Sequence, residues 1–162
     1  MIEINENTSH LFFRYMNIRN RKFILEHRAV LINNGYTWIG KFGKKINRLK
    51  VGEIFQDHNA GVLLIRSPRS EGDRYYICQV LAFCFDEPKD GVFPEYYNTD
   101  IEKSDIDVWF KVSSINEVSD DIVDSFNCSS NNESIRKTSD KTMTSYMFIK
   151  TIRPIKIKKG VE

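Results

Sequence analysis

The sequence lacks the patterns by which most enzymes and metal proteins are recognised. Its three histidines and three cysteines are scattered over 162 residues, and no Cys-x-x-Cys pair or other spacing typical of a zinc site occurs. The glycines and lysines of residues 40–45 do not have the spacing of a Walker phosphate loop. These absences exclude the readily recognised zinc and P-loop classes. They predict a protein that is not an enzyme and that needs no metal or cofactor.

Long apolar segments and paired cysteines are also missing. No apolar run approaches the roughly 20 residues that span a bilayer, so we expect no membrane contact. The acidic, polar start predicts no secretory signal, and the odd number of unpaired cysteines is typical of reduced thiols in a cytoplasmic protein. Cys78 and Cys84 lie six residues apart in an apolar strand, which predicts that both are buried on the same strand face.

The hydrophobic pattern that is present predicts an α+β domain. Apolar residues at helical spacing predict a helix over residues 21–34, with Asn20 as N-cap and Gly35 in the left-handed position after it. A short helix is predicted to start after Ser119. Strands are predicted at residues 10–16, 36–42, 50–55, 62–65, 74–85, 106–112 and 146–152. We therefore predict one domain over residues 1–162, a small bent mixed β-sheet or β-barrel with two or three flanking helices.

Three segments connect or follow these elements. Residues 86–105 form a long acidic connection whose aromatic residues must pack on the core or on a ligand. Residues 127–142 are polar and predict a mobile loop, and residues 156–162 predict a basic tail. Residues 43–50 are predicted to form a basic loop or a short helix, with Ile46 and Leu49 turned inward.

The net charge of +2 hides a segregation of charge along the chain. Residues 1–85 hold 13 Lys and Arg against 7 acidic residues, residues 86–124 hold 3 against 12, and residues 125–162 hold 8 against 3. If the basic segments meet in space, they form a positive face suited to an anionic partner. Each run is equally compatible with a solvated surface.

The stretch from residue 36 to residue 50 joins an aromatic strand to a basic loop without acidic residues. Aromatic rings beside clustered cations can stack a base and hold its phosphate, or they can form half of a small core. Trp109 lies on the polar-patterned face of a later strand and is a second candidate. The predicted binding residues are Trp38, Trp109, Tyr36, Phe42, Lys41, Lys44, Lys45 and Arg48.

The order of several short segments resembles the PUA-like superfamily, which includes the EVE, ASCH and YTH domains. The segments are the aromatic strand 36–42, a turn at 49–53 (Leu-Lys-Val-Gly-Glu), a strand running into 85–88 (Phe-Asp-Glu-Pro), and the strand 108–112 (Val-Trp-Phe-Lys-Val). Glu53 stands where Asp is commoner in the family. The resemblance covers about residues 36–115.

This resemblance implies a bent β-barrel that binds nucleic acid, often reading a modified base flipped into an aromatic pocket, in bacterial or phage defence systems. Carried over by position, Trp38 and Trp109 would line that pocket. Lys41, Lys44 and Lys45 would contact phosphate.

The leading hypothesis is a non-enzymatic module that binds DNA, RNA or a nucleotide. The alternative is a protein-interaction module or inhibitor that uses the acidic segment 86–124. A third is a metal-dependent nuclease or nucleotide hydrolase, with Glu53, Asp57 and Lys41 around a cation.

Overall fold

Residues 2–43, 45–56, 61–141 and 146–158 are described in the computed structural model, and they form an α+β fold. The strands are β1 (Ile2–Ile4), β2 (Ser9–Arg14), β3 (Thr37–Phe42), β4 (Val62–Arg66), β5 (Tyr75–Cys84), β6 (Ile106–Val118), β7 (Phe126–Cys128), β8 (Tyr146–Thr151) and β9 (Ile155–Ile157). The helices are α1 (Phe23–Asn34), α2 (Arg48–Phe55), α3 (Tyr96–Thr99), α4 (Asp120–Val123) and α5 (Ile135–Lys141).

Seven strands form one mixed sheet in the order β3-β6-β5-β4-β2-β8-β7, and β1 pairs with β9 in a separate ribbon. The β2–β4 pair is parallel and the other pairs of the large sheet are antiparallel. Within the described residues, β3 and β7 are the edges of an open sheet. The predicted mixed sheet is therefore confirmed, whereas the alternative of a closed barrel is wrong.

The sheet is strongly curved. Four strands lie between β3 and β8, so in a flat sheet these two strands would be about 24 Å apart. The Lys41 Nζ atom of β3 nevertheless lies 4.9 Å from the centre of the Tyr146 ring of β8. Curvature thus brings the end of β3 across the concave face toward β2 and β8.

Both faces of the sheet are covered. Leu63 and Ile65 of β4 belong to the core on the concave face, together with buried residues of α1 and α2. Val62 and Leu64 belong to the core on the opposite face, beneath the β1–β9 ribbon and α5. The continuous apolar run of residues 62–65 predicts a strand buried on both faces, and the structure confirms this.

The long helix α1 ends as predicted but starts differently. The N–H of Gly35 donates to the Leu31 carbonyl, and Gly35 has the left-handed φ of 80°. At the other end, the Asn17 side chain accepts a hydrogen bond from the N–H of Phe23 at 2.9 Å. The predicted cap at Asn20 is wrong, because an amide earlier in the chain folds back to satisfy this N–H.

Residues 48–55 form a helix where the sequence analysis predicted a strand. The Asn47 side chain caps α2 by accepting from the N–H of Lys50. Val51, Ile54 and Phe55 are buried, and their spacing is that of one face of a helix. Ile46 is buried as predicted, but Leu49 is 83% exposed, so its predicted inward position is wrong.

The cysteine prediction is wrong in one respect. Cys78 is fully buried in the concave core, whereas Cys84 is partly buried against a different cluster. The β5–β6 register shifts twice, between Gln79 and Val80 and between Val80 and Ala82. Because such bulges break the alternation of a strand, the two thiols do not share a face.

The later segments contain regular structure. Within 127–142, the end of β7 and the helix α5 are formed, so the segment is not wholly a loop; its mobility stays a prediction. The predicted tail begins inside β9, which pairs with β1. No helix in the described ranges is long and apolar enough to cross a membrane.

A buried hydrogen-bond chain ties three elements together. The Nδ1 atom of His27 lies 2.7 Å from the Phe23 carbonyl, which can only accept, so Nδ1 carries the proton. Nε2 then accepts from the hydroxyl of Tyr97 at 2.8 Å, and that hydroxyl accepts from the N–H of Gly40 at 3.1 Å. The chain joins α1, the acidic connection and β3.

This arrangement predicts a loss of stability in mild acid. Burial lowers the pKa of His27 from 6.5 to about 4, and burial does the same to His10. As the pH falls below 6.5, the histidines of the unfolded protein bind protons, whereas the buried histidines of the folded protein stay neutral. The free energy of unfolding therefore decreases as the pH is lowered from 6.5 to 4. Each histidine contributes up to about 3 kcal/mol. Chemical denaturation at a series of pH values measures this slope.

The matched comparison is His27→Gln, which removes one of the two titrations. Its free energy of unfolding should depend less on pH between 6.5 and 4 than that of the wild type. Equal slopes in the two proteins would contradict the assignment of His27 as a neutral buried histidine.

Candidate ligand-binding site

The aromatic face predicted as a binding surface is closed. Trp109 is 1% exposed, and its ring centre lies 5.1 Å from that of Phe93 and 5.0 Å from that of Tyr97. Trp38 is 9% exposed. These residues form the closed aromatic cluster, whose buried members are Trp38, Phe93, Tyr96, Tyr97, Ile106 and Trp109. The aromatic residues of the acidic connection thus pack on the core, and neither tryptophan lines an open pocket.

The edge of this cluster is held by Asp90. The Tyr36 hydroxyl donates to its carboxylate at 2.9 Å and the Trp38 Nε1 at 3.2 Å. Partial burial opposes the ionised form, but these hydrogen bonds and one from the N–H of Val92 lower the pKa of Asp90. The Nζ atom of Lys111 lies 4.2 Å from the centre of the Tyr36 ring. Tyr36 is therefore engaged within the protein.

Gly40 allows the connection to approach β3 this closely. A Cβ atom there would lie 2.8 Å from the Cδ1 of Ile106 and 3.0 Å from the Cε1 of Tyr97. Strand alternation in the sequence predicts that Gly40 shares a face with Trp38, and the structure confirms this. This face of β3 is closed instead of open, because the absence of a side chain at Gly40 allows Tyr97 to pack over it.

The other face of β3 borders an open cavity of about 660 Å³. Alternation places Lys41 on the same side as Ile39, toward the concave face of the sheet. The described residues that line the cavity are Phe12, Phe13, Arg14, Tyr15, Met16, Phe23, Gly40, Lys41, Phe42, Gly43, Pro68, Arg69 and Ser139. We call this space the Lys41 cavity. Its size lies within the range of small-molecule sites.

Lys41 is a buried cation in the wall of this cavity. It is 1% exposed, and its Nζ donates to the Phe42 carbonyl at 2.7 Å and faces the Tyr146 ring. It makes no ion pair with any described residue. Burial lowers the pKa of Lys41, and the more distant Asp107 opposes this. A buried amine without a close carboxylate adds positive potential to the cavity wall.

Arg14 and Arg69 add further positive charge. The Arg14 guanidinium donates to the Ser67 carbonyl and to the Ser139 hydroxyl, each at 3.2 Å. Burial and the proximity of Arg66 and Arg69 lower the pKa of Arg14. Arg66 is neutralised by short ion pairs with carboxylates of Asp73 and Asp140. Arg14 and Arg69 form no ion pair within the part of the chain that the structure describes.

The walls between these cations are aromatic. The rings of Tyr15 and Phe23 stack with centres 4.6 Å apart and an interplanar angle of 18°. The Tyr15 hydroxyl donates to Glu71 at 3.2 Å, which fixes the ring. Phe13 and Phe42 complete this surface. Flat apolar walls with a few cations suit a ligand that combines a planar ring with an anion.

The predicted binding residues are thus divided between two places. Lys41 lines the cavity, and Tyr36, Trp38 and Trp109 belong to or border the closed aromatic cluster. Phe42 lies between the two places, because it lines the cavity and its ring also stacks on that of Tyr97. Lys45 is exposed, and Arg48 is exposed above the Phe85 ring, 4.5 Å from its centre. Neither Lys45 nor Arg48 is a lining residue of the Lys41 cavity. Lys44 lies outside the described residues.

Sequence reasoning missed Arg14, Tyr15, Phe23 and Arg69. A signal existed for Lys41, since a lysine that follows Thr37 and Ile39 at strand spacing must face the same side as they do. No comparable signal linked Arg14 and Arg69 to Lys41, because it is the curvature of the sheet that brings the end of β2 and the segment after β4 to the end of β3.

The residues of the two other hypotheses are dispersed. Glu53 is exposed on α2 and Asp57 lies outside the described residues. Over the described ranges, no three His, Cys, Asp or Glu side chains are grouped so that they could hold a metal ion. In the acidic segment, Glu87 pairs with Lys103 and Asp120 pairs with Arg136. Comparison with family models, with curated proteins and with solved structures finds no match for this chain.

The packing predicts that Trp109 stabilises the fold. Trp109→Ala should lower the free energy of unfolding by about 3–5 kcal/mol, because it leaves a cavity among buried rings. Chemical denaturation measures the loss, with the exposed Leu49→Ala on α2 as a control that should change little. An unchanged stability would show that Trp109 is accessible and available to a ligand.

The environment of Lys41 predicts that its replacement, unlike that of Trp109, does not lower the stability of the fold. Lys41→Met should leave the free energy of unfolding within about 1 kcal/mol of the wild type or above it, since it removes an unpaired buried charge at similar volume. Lys45→Met, at an exposed lysine shortly after the end of β3, is the control for surface charge. A loss larger than about 3 kcal/mol in Lys41→Met alone would indicate a structural amine instead.

Proposed function

We propose that this protein is a non-enzymatic module that binds a nucleotide, either free or as part of DNA or RNA, in the Lys41 cavity. The base lies against the aromatic wall of Tyr15, Phe23 and Phe42. The phosphate lies among Arg14, Lys41 and Arg69. Stacking supplies contact with any base, and the cations supply affinity for the phosphate.

The observation that carries the proposal is the charge of the cavity lining. It includes three cations without ion pairs to described residues, and no described lining residue is an Asp or a Glu. A positive, partly apolar cavity concentrates field lines and attracts an anionic ligand. Its volume of about 660 Å³ is enough for a mononucleotide.

The proposed ligand is of the same class that the sequence indicated, but the proposed site is the Lys41 cavity instead of the tryptophan pair. The tryptophan pair is buried under the acidic connection, so stacking on it would require that connection to leave its place. The resemblance to the PUA-like superfamily, with its modified-base reading and defence role, stays a hypothesis beside this proposal. The resemblance to the PUA-like superfamily requires residues 49–53 to form a turn, whereas in the structure they lie within α2.

The proposal predicts that loss of one lining cation weakens binding without loss of fold. Arg69→Gln should raise the dissociation constant for a labelled adenine nucleotide about tenfold or more, the usual effect of one charge-assisted hydrogen bond. Arg69 is exposed and forms no ion pair with a described residue, so its removal should not disturb packing. Fluorescence anisotropy at low and moderate salt measures the binding, which should weaken as salt rises.

Lys156→Gln is the matched control, because it removes one positive charge from the β1–β9 ribbon outside the cavity. Equal weakening in both variants would indicate attraction to the overall charge instead of a site. An absence of nucleotide and nucleic-acid binding at low salt would contradict the proposal itself.

A further inference from the structure

The number of cations without ion pairs at the Lys41 cavity indicates how much negative charge a bound anion should carry. Arg14 and Arg69 are close enough to repel each other, and the carboxylates nearby are already engaged with Arg66. Lys41 adds a third charge from the opposite wall, without an ion pair to a described residue. Lys41 is buried and Arg14 is partly buried, so water solvates their charges incompletely and an anion in the cavity would stabilise them.

Phosphate groups differ in how much charge they bring. A phosphate monoester at the end of a nucleotide carries between about −1.5 and −2 at neutral pH, and it presents three terminal oxygens. An internal phosphodiester carries a single charge and presents two free oxygens. A monoester brings up to two negative charges to the three cations, whereas a diester brings only one.

The lining supplies directional donors as well as charge. The Ser139 hydroxyl is shared by Arg14 and Arg66, at 3.2 Å and 3.0 Å, which orients both guanidinium groups around one point. Ser139 is 7% exposed and lies in the wall of the cavity. Arginine forks held in this way recognise the oxygens of a terminal phosphate better than a single point charge does.

Resting on the proposed function, we propose that the Lys41 cavity selects a terminal phosphate monoester, bound by Arg14 and Arg69 with Lys41 in the facing wall. The ligand is then a free nucleoside monophosphate or the phosphorylated end of a nucleic-acid strand. An internal segment of DNA or RNA is a poor ligand for this site.

The test compares ligands that differ only at the phosphate. Adenosine, adenosine 5′-monophosphate and adenosine 3′,5′-cyclic monophosphate compete for the wild-type protein against a labelled adenine nucleotide. A short single strand with a 5′-phosphate is compared with the same strand ending in a 5′-hydroxyl. We expect the monoester to bind at least about tenfold more tightly than the cyclic diester or the nucleoside.

The two sources of the monoester give different results. Preference for the free monophosphate over the phosphorylated strand identifies a small-molecule site, and the reverse identifies a strand-end site; either supports the proposal. Arg14→Gln and Arg69→Gln should reduce the ratio between monoester and diester affinity, whereas Lys156→Gln should leave it unchanged. Because the ratio is measured within each variant, a general loss of affinity does not mimic it.

Failure of this inference is distinct from failure of the proposed function. Equal affinity for monoester, diester and 5′-hydroxyl strand would overturn the selection of a terminal phosphate and leave nucleotide binding intact. No binding of any of these ligands by the folded wild type would overturn both.

Discussion

The hydrogen-bond chain from His27 through Tyr97 to Gly40 is the constraint on which the arrangement of this protein depends. It is buried, each polar atom in it has a partner, and it joins the long helix, the acidic connection and the edge strand β3. Because an unmatched polar group at this depth costs several kcal/mol, the three elements are held in one relative position. The missing side chain at Gly40 makes the close contact possible.

This constraint decides which face of β3 is available to a ligand. Tyr97 and Phe93 pack onto the face that carries Trp38 and Trp109, and the Val92 carbonyl of the acidic connection also accepts a hydrogen bond from the N–H of Trp38. The alternate face carries Lys41, and sheet curvature brings that residue toward β2 and β8. Both tryptophans are therefore buried under the acidic connection, and the cations without ion pairs to described residues lie at the cavity.

Much of the fold follows from local sequence, and the site does not. Strand alternation predicted β3, a continuous apolar run predicted the doubly buried β4, and Gly35 predicted the end of α1. The segment of α2 was wrongly predicted as a strand because its short apolar pattern is compatible with a helix or a strand. Asn47 acts as an N-cap only if the turn that follows it is helical. The bulges in β5 separate Cys78 from Cys84, and register shifts of this kind leave no mark in a single sequence. Arg14 and Arg69 meet Lys41 only through curvature of the whole sheet, which no local pattern encodes.

The most direct measurement of the central claim is a nuclear magnetic resonance titration of the labelled protein with adenosine 5′-monophosphate. The account predicts that amide signals of Phe13, Arg14, Lys41 and Arg69 shift with a common saturation curve. The indole N–H signals of Trp38 and Trp109 should stay in place, since the closed aromatic cluster does not open. Shifts centred on the two indoles, with the cavity signals unmoved, would contradict the account and return the site to the tryptophan face.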